Sequence, residues 1–74
     1  MEIAENVVRI VEHHLMLTIE DKEQTLINTL GADSLDVLEI VAVIEQEYGI
    51  TIRDEELEQI KTTNDLITLV ELKS

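Results

Sequence analysis

The sequence predicts a small all-α protein, a four-helix bundle with three longer helices and one short helix. Apolar residues recur at helical spacing along most of the 74 residues, and no stretch alternates as a half-buried strand does. The chain has no proline and a single aromatic residue, which favours helices over a sheet. Hydrophobic residues make up 45% of the sequence, enough for one modest core and too many for a disordered acidic chain. We therefore expect residues 1–74 to form a single domain.

The first helix is predicted over roughly residues 2 to 15, because apolar residues fall at helical spacing there. These residues are Ile3, Val7, Ile10, Val11 and Leu15. A long connection follows, and loops of this length in compact domains are usually functional or carry packing of their own. Apolar residues are available to pin it to the core, so we expect an ordered loop. They are Leu17, Ile19, Leu26, Ile27 and Leu30.

The second helix should begin after Asp33 and end at Tyr48. Gly31 supplies a turn before it. Asp33 is suited to cap the helix N-terminus, with Asp36 three residues on. Gly49 fits a left-handed cap at the C-terminus.

A short third helix is predicted near Asp54 to Gln59, packed through Leu57, with Ile60 just beyond it. Thr62 and Asp65 form a capping-box pattern that opens the last helix. The buried side of that helix should consist of Leu66, Ile67, Leu69 and Val70.

The stretch Leu30-Gly31-Ala32-Asp33-Ser34-Leu35-Asp36 carries the clearest functional signal. A serine lies between an acidic residue and a leucine, just past a glycine turn and at the start of a long apolar-periodic run. The stretch resembles the phosphopantetheine attachment motif of acyl carrier proteins, in which the serine hydroxyl holds the prosthetic group. The resemblance covers about residues 26 to 70 and continues through Glu39, Tyr48-Gly49-Ile50, Ile52, Asp54-Glu55, Ile60 and Thr62-Thr63-Asn64-Asp65-Leu66.

This resemblance implies a carrier protein with Ser34 as its attachment residue. A phosphopantetheinyl transferase would move 4'-phosphopantetheine from coenzyme A to Ser34, and the terminal thiol would hold acyl groups as thioesters. The other implied partners are acyl-transferring and chain-extending enzymes with basic docking patches. We therefore expect a carrier of the fatty acid type, which is a substrate of enzymes and not itself an enzyme.

Two alternatives stay open. One is a carrier for a specialised pathway, with a polyketide, a specialised lipid or an aminoacyl intermediate as cargo. This alternative follows from departures from the residues common in fatty-acid carriers, which occur at Leu26, Asn28-Thr29, Arg53 and Thr63. The other is an acidic adaptor protein in which Ser34 is never modified.

The chemistry of Ser34 agrees with the resemblance. A hydroxyl at a helix N-terminus lies where backbone N–H groups are unpaired and the helix dipole favours a phosphate. Asp33 and Asp36 repel that phosphate, so it should point outward. The plain structural alternative is a serine that only caps the helix. A catalytic serine is disfavoured, because no Gly-x-Ser-x-Gly elbow surrounds Ser34 and the histidines, His13 and His14, lie at the far end of the first helix.

The second helix should present two different faces. The core face is predicted to hold Val37, Ile40, Val41, Ile44 and Tyr48. Leu35, Leu38 and Ala42 fall on the opposite side beside Glu39, and no lysine or arginine occurs between Lys22 and Arg53. Exposed apolar residues flanked by acids beside the attachment motif favour a docking surface for basic partners. The predicted docking residues are Asp33, Leu35, Asp36, Leu38, Glu39, Ala42 and Glu45.

The resemblance also implies an acyl pocket, because family carriers shelter the acyl chain between the second and third helices. The matching positions are all apolar: Val37, Ile44, Ile52, Leu57, Ile60 and Leu66. Leu57 and Leu66 are larger than the alanines often found at those positions, so we expect a short pocket.

Composition excludes several function classes. A net charge of -12, from 17 acidic and 5 basic residues, repels nucleic acid and anionic lipid and attracts basic protein patches. The absence of cysteine excludes disulfides and thiolate zinc sites, and it leaves the cofactor as the source of any thiol. No signal peptide and no bilayer-spanning apolar run is evident, so we expect a cytoplasmic monomer without stable membrane insertion.

We predict no metal site. His13 and His14 are adjacent on a helix, so their side chains point in different directions, and we interpret both as surface residues. The acids between Asp54 and Glu58 lack the spacing of a calcium loop and favour weak, nonspecific cation binding.

Overall fold

The structure is a computed structural model that describes residues 3–74. It contains four α-helices: α1 (Ile3–Leu15), α2 (Ser34–Tyr48), α3 (Asp54–Leu57) and α4 (Thr63–Lys73). The predicted fold class is confirmed, with three longer helices and one short one. Residue 2, the predicted start of the first helix, lies outside the described residues.

The core forms where α1 packs against both α2 and α4. Val7 and Val11 lie on one face of α1 because they are four residues apart, and both are completely buried. The side chains with less than 2% exposure are Val7, Val11, Leu26, Ile40, Ile44, Thr63, Leu66 and Val70. All four helices share this core, since Leu57 of α3 also packs against it.

The long connection between α1 and α2 is tied to the rest of the protein at Leu26. Its side chain is buried in the core, and its backbone N–H donates to the carbonyl of Lys61 at 2.9 Å. Its carbonyl accepts from the N–H of Ala32 at 2.9 Å. Of the other predicted anchors, Ile19 and Leu30 also pack against the core. Ile27 and Leu17 are wrong as anchors, because Ile27 is 52% exposed and Leu17 does not pack against the core. With Leu26 pointing into the core, its neighbour points away from it.

Capping boxes begin both α2 and α4, as predicted. Asp33 Oδ1 accepts from the Asp36 N–H at 2.8 Å, and Asp36 Oδ2 accepts from the Asp33 N–H at 3.2 Å. Thr62 Oγ1 accepts from the Asp65 N–H at 3.0 Å, and Asp65 Oδ2 accepts from the Thr62 N–H at 3.1 Å. Such a cap stabilises a helix by about 1 kcal/mol.

Left-handed residues end both α1 and α2. Gly49, with φ of 66°, follows α2 and donates its N–H to the carbonyl of Glu45 at 2.9 Å, as predicted. Met16, with φ of 58°, takes the same role after α1, although it carries a side chain. The next residue, Leu17, donates its N–H to the carbonyl of Glu12 at 3.2 Å. These bonds satisfy carbonyls that would otherwise lack partners at the helix ends.

The helix α3 ends at Leu57, two residues before the predicted Gln59. Beyond it the backbone tightens, because Gln59 donates to the carbonyl of Glu56 at 3.0 Å and Ile60 donates to that of Leu57 at 3.1 Å. These bonds reach back three residues instead of four, as in a 3₁₀ turn. The turn brings Ile60 into the core, where it is 8% exposed.

Candidate functional site

Ser34 is exposed at the first helical position of α2. The cap of this helix is Asp33, whose carboxylate accepts the Asp36 N–H. The alternative of a serine that only caps the helix is therefore wrong. The Ser34 hydroxyl lies at the positive end of the helix dipole without serving as the helix cap.

The residues before Ser34 fix the start of the helix. Gly31 has φ of 82°, a backbone conformation that residues with a Cβ rarely adopt. Ala32 is 3% exposed and is held by its backbone bond to Leu26. The attachment motif therefore consists of a glycine turn, a buried alanine and a capping aspartate, followed by the free serine.

The exposed face of α2 is the predicted one. Leu35 is 62% exposed and Leu38 is 47% exposed, although both are large apolar residues. Of the seven predicted docking residues, five are exposed: Asp33, Leu35, Leu38, Glu39 and Ala42. Asp36 and Glu45 are half-buried. The residues predicted for the core face are buried or half-buried, which confirms the orientation of the helix.

Glu45 has a structural contact that the sequence did not indicate. Its Oε2 accepts the backbone N–H of Ile52 at 2.8 Å. This bond ties the last part of α2 to the connection before α3. One carboxylate oxygen of this predicted docking residue is therefore engaged within the fold.

Asp36 and Glu39 have an unpredicted neighbour in His14. The Nε2 atom of His14 lies 3.5 Å from Asp36 Oδ1 and 3.1 Å from Glu39 Oε1. The interpretation of His14 as a surface residue remote from the motif is wrong, since its side chain is only 26% exposed. The long loop returns the chain so that the last turn of α1 lies beside the first turns of α2. His13 is exposed, as predicted.

An open cavity of about 510 Å³ lies next to Ser34. The loop residues 25–28 form one wall, and another wall is formed by Leu57, Glu58, Ile60 and Lys61. Ser34, Val37 and Leu38 of α2 complete it. The lining is mainly apolar, with polar groups from Thr25, Asn28, Ser34, Glu58 and Lys61.

This cavity contains half of the predicted acyl-pocket residues. Val37, Leu57 and Ile60 line it. Ile44, Ile52 and Leu66 do not: Ile44 and Leu66 are fully buried in the core, and Ile52 is half-buried. The cavity instead includes the loop wall, which sequence reasoning missed. The sequence offers only the adjacent apolar pair Leu26-Ile27 as a signal, and it does not indicate which of the two side chains enters the core.

Ion pairs hold α3, which carries Leu57, in place beside this cavity. Glu56 Oε1 accepts the backbone N–H of Arg53 at 2.9 Å and lies 3.0 Å from the Nζ atom of Lys73. The hydrogen bond from Arg53, followed by the Lys73 ammonium, lowers the pKa of the Glu56 carboxyl from its ordinary value. Glu56 therefore joins α3 to the end of α4.

None of the helices within residues 3–74 has the length and apolarity needed to cross a membrane.

Comparisons with known proteins agree on one family. A family model described as "Phosphopantetheine attachment site" matches residues 5–70. The acyl carrier protein homolog of Mycoplasmopsis pulmonis is 50% identical over 52 residues, which cover 70% of this chain and 71% of that protein. The acyl carrier protein of Wolinella succinogenes is 37% identical over 73 residues, with 96% of each chain covered.

The fold is also similar to a solved structure. The crystal structure of an acyl carrier protein from Thermotoga maritima matches with a TM-score of 0.79 and 35% identity. The match covers 99% of this chain and 91% of that chain. From the family match, the relatives and the shared fold, it follows that this chain belongs to the acyl carrier proteins, which are phosphopantetheine-dependent carriers and not enzymes.

Proposed function

We propose that this protein carries acyl groups of the fatty acid type on 4'-phosphopantetheine attached to Ser34. The observation that carries the proposal is the exposed hydroxyl of Ser34 at the start of α2, free of the capping role that Asp33 fills. The adjacent apolar cavity supports the acyl part of the proposal.

The residues around Ser34 suit a phosphodiester there. The backbone N–H groups and dipole at the start of α2 favour a phosphate. Asp33 and Asp36 repel it and direct it away from the helix. When bound, the group supplies a terminal thiol that holds an acyl group as a thioester. Because the chain has no cysteine, no side chain of its own competes for that acyl group.

The attachment residue is tested by intact mass after incubation with coenzyme A and a broad-specificity phosphopantetheinyl transferase. The wild type should gain one phosphopantetheine, and Ser34→Ala should gain none while keeping its helical circular dichroism spectrum. Ser74 is the other serine of the sequence, so Ser74→Ala is the matched control and should be modified fully. Modification of Ser34→Ala would exclude Ser34 as the attachment residue, and a wild type that gains no mass would favour the acidic adaptor.

We further propose that the transferase and the acyl-handling enzymes dock on the exposed acidic face of α2. Glu39 lies among Leu35, Leu38 and Ala42 on this face, and its side chain is 55% exposed. Glu39→Lys should slow the modification of Ser34 at low salt, because it removes attraction to a basic patch. Glu71→Lys is the matched control, because it changes the net charge by the same amount at an exposed position of α4. It should be modified nearly as fast as the wild type. Equal rates for the two variants would rule out a specific docking role of Glu39.

The exposed Leu35 allows a second test of the same surface. Leu35→Ala should slow the modification while changing the free energy of unfolding by no more than about 0.5 kcal/mol, as expected for a surface position. A large loss of stability, measured by urea unfolding, would show that this side chain serves the fold instead.

The acyl chain is proposed to enter the cavity beside Ser34 and to contact Val37, Leu57 and Ile60. Each methylene taken from water contributes about 0.8 kcal/mol when fully buried. Since only the folded protein has the cavity, acyl groups should raise the melting temperature with length and then level off. A series of acyl lengths on the modified protein measures this. A series without any rise would favour the specialised-pathway carrier with a polar cargo.

We also propose that residues 1–74 act as one monomeric carrier domain in the cytoplasm. The core shared by all four helices supports a single domain. The net charge of -12 opposes self-association and supports a monomer. Light scattering of the modified protein should give the mass of one chain, and cell fractionation should find the protein in the cytoplasmic fraction.

A further inference from the structure

Three side chains that commonly bind metals meet between the end of α1 and the start of α2. They are His14, Asp36 and Glu39, and one ligand atom from each lies within 4.8 Å of the other two. We propose that this cluster is a binding site for Zn²⁺. The inference goes beyond the carrier function and does not depend on modification of Ser34.

The spacing of the ligand atoms suits zinc. Zinc binds histidine nitrogen and carboxylate oxygen at about 2.0–2.2 Å, so tetrahedral ligands lie about 3.4 Å apart. His14 Nε2 lies 3.5 Å from Asp36 Oδ1 and 3.1 Å from Glu39 Oε1. The third pair, one oxygen of Asp36 and one of Glu39, lies within 4.8 Å. An ion bound to all three residues would therefore require an adjustment of the Glu39 side chain, which is 55% exposed. A water molecule would fill the fourth position.

The ligand types select among divalent ions. Imidazole nitrogen suits zinc and other late transition metals, whereas calcium and magnesium prefer oxygen ligands alone. Calcium also takes six to eight oxygens, far more than this cluster offers. The mixed nitrogen and oxygen set therefore favours zinc over the ions that bind purely acidic clusters.

The surroundings hold the ligands in position. Asp36 Oδ2 accepts the Asp33 N–H at 3.2 Å, which orients the carboxylate and leaves Oδ1 towards His14. Hydrogen bonds of this kind to ligating groups strengthen metal sites. His14 lies on the last turn of α1, where the helix dipole favours a cation. Glu39 is 55% exposed and is free to adjust.

The test uses the 74-residue chain without a tag and without phosphopantetheine, and this chain contains no thiol that competes for zinc. Zinc binding is measured by titration calorimetry at about pH 7.5, because the ligand must be neutral imidazole. The wild type should bind one zinc ion, and His14→Gln should weaken binding at least about tenfold, since even outer partners of metal ligands contribute that much. His13→Gln is the matched control and should bind zinc as the wild type does, because residue 13 is exposed and outside the cluster.

Magnesium serves as the comparison ion, and its affinity should be the same in both histidine variants. Zinc binding by His14→Gln that equals the wild type would overturn the proposal, as would equal weakening by both histidine substitutions. If circular dichroism shows that His14→Gln does not fold, Glu39→Gln decides the question. Unchanged zinc affinity in Glu39→Gln would then overturn the site, and a loss of about tenfold or more would support it.

Discussion

Replacing Met16 with glycine should stabilise the protein. Met16 ends α1 with φ of 58°, and its side chain is 90% exposed. A residue with a Cβ loses about 1–2 kcal/mol in this left-handed conformation. Glycine avoids this loss but gives up about 0.5–1 kcal/mol more backbone entropy on folding. Because the exposed methionine side chain contributes little burial, Met16→Gly should raise the free energy of unfolding by about 0.5–1 kcal/mol.

Urea and thermal unfolding of Met16→Gly measure this gain. For a domain of this size, 1 kcal/mol corresponds to a rise of about 4–8 °C in melting temperature. Met16→Ala is the control, since it removes the same side chain beyond Cβ but keeps the left-handed strain, and it should change stability little. A stability of Met16→Gly at or below that of Met16→Ala would refute the backbone argument. The N–H of Leu17 should keep its bond to the Glu12 carbonyl in both variants.

Three further predictions concern stability. Leu66→Ala, at a fully buried position, should cost about 2–5 kcal/mol in urea unfolding. Leu72→Ala, where the side chain is 79% exposed, should cost no more than about 0.5 kcal/mol. Equal losses of stability in Leu66→Ala and Leu72→Ala would contradict the assigned core. The lowered pKa of Glu56, caused by Arg53 and Lys73, stabilises the fold above the ordinary carboxyl pKa of about 4.3, and this contribution is lost as pH falls through the lowered value. Glu56→Gln should therefore be less stable at pH 7 and lose less stability on acidification, whereas an unchanged pH profile would contradict the pairing. Added salt should raise the melting temperature by screening the net charge of -12. A melting temperature that does not change with ionic strength would count against self-repulsion of the charges.

Local patterns in the sequence predicted most of the helical framework. The Asp33–Asp36 and Thr62–Asp65 capping boxes join residues three positions apart, so their bonds form as soon as the backbone turns into a helix. The core and solvent faces of α2 follow from helical geometry once its start is known. The attachment motif was predictable for the same reason, since its signals lie within seven consecutive residues.

Contacts across the long loop were not predictable in this way. The pairing of His14 with Asp36 depends on how residues 16–33 return the chain to α2, and no local spacing records that path. The bond from Ile52 to Glu45 spans a turn between two helices. The loop wall of the cavity depends on which of two neighbouring apolar residues enters the core. Sequence spacing alone leaves that choice open in an irregular segment, where neither helical nor strand periodicity applies.

The arrangement at the start of α2 separates the roles of its residues. Ala32 anchors the turn in the core, Asp33 caps the helix, and Ser34 contributes neither a buried side chain nor the cap. A group added to the Ser34 hydroxyl therefore displaces no capping bond and no core contact. If the serine itself were the cap, its modification would remove an acceptor worth about 1 kcal/mol from the helix that partners are proposed to bind. Because Asp33 supplies that acceptor, the hydroxyl can react in the folded protein without weakening the proposed docking helix.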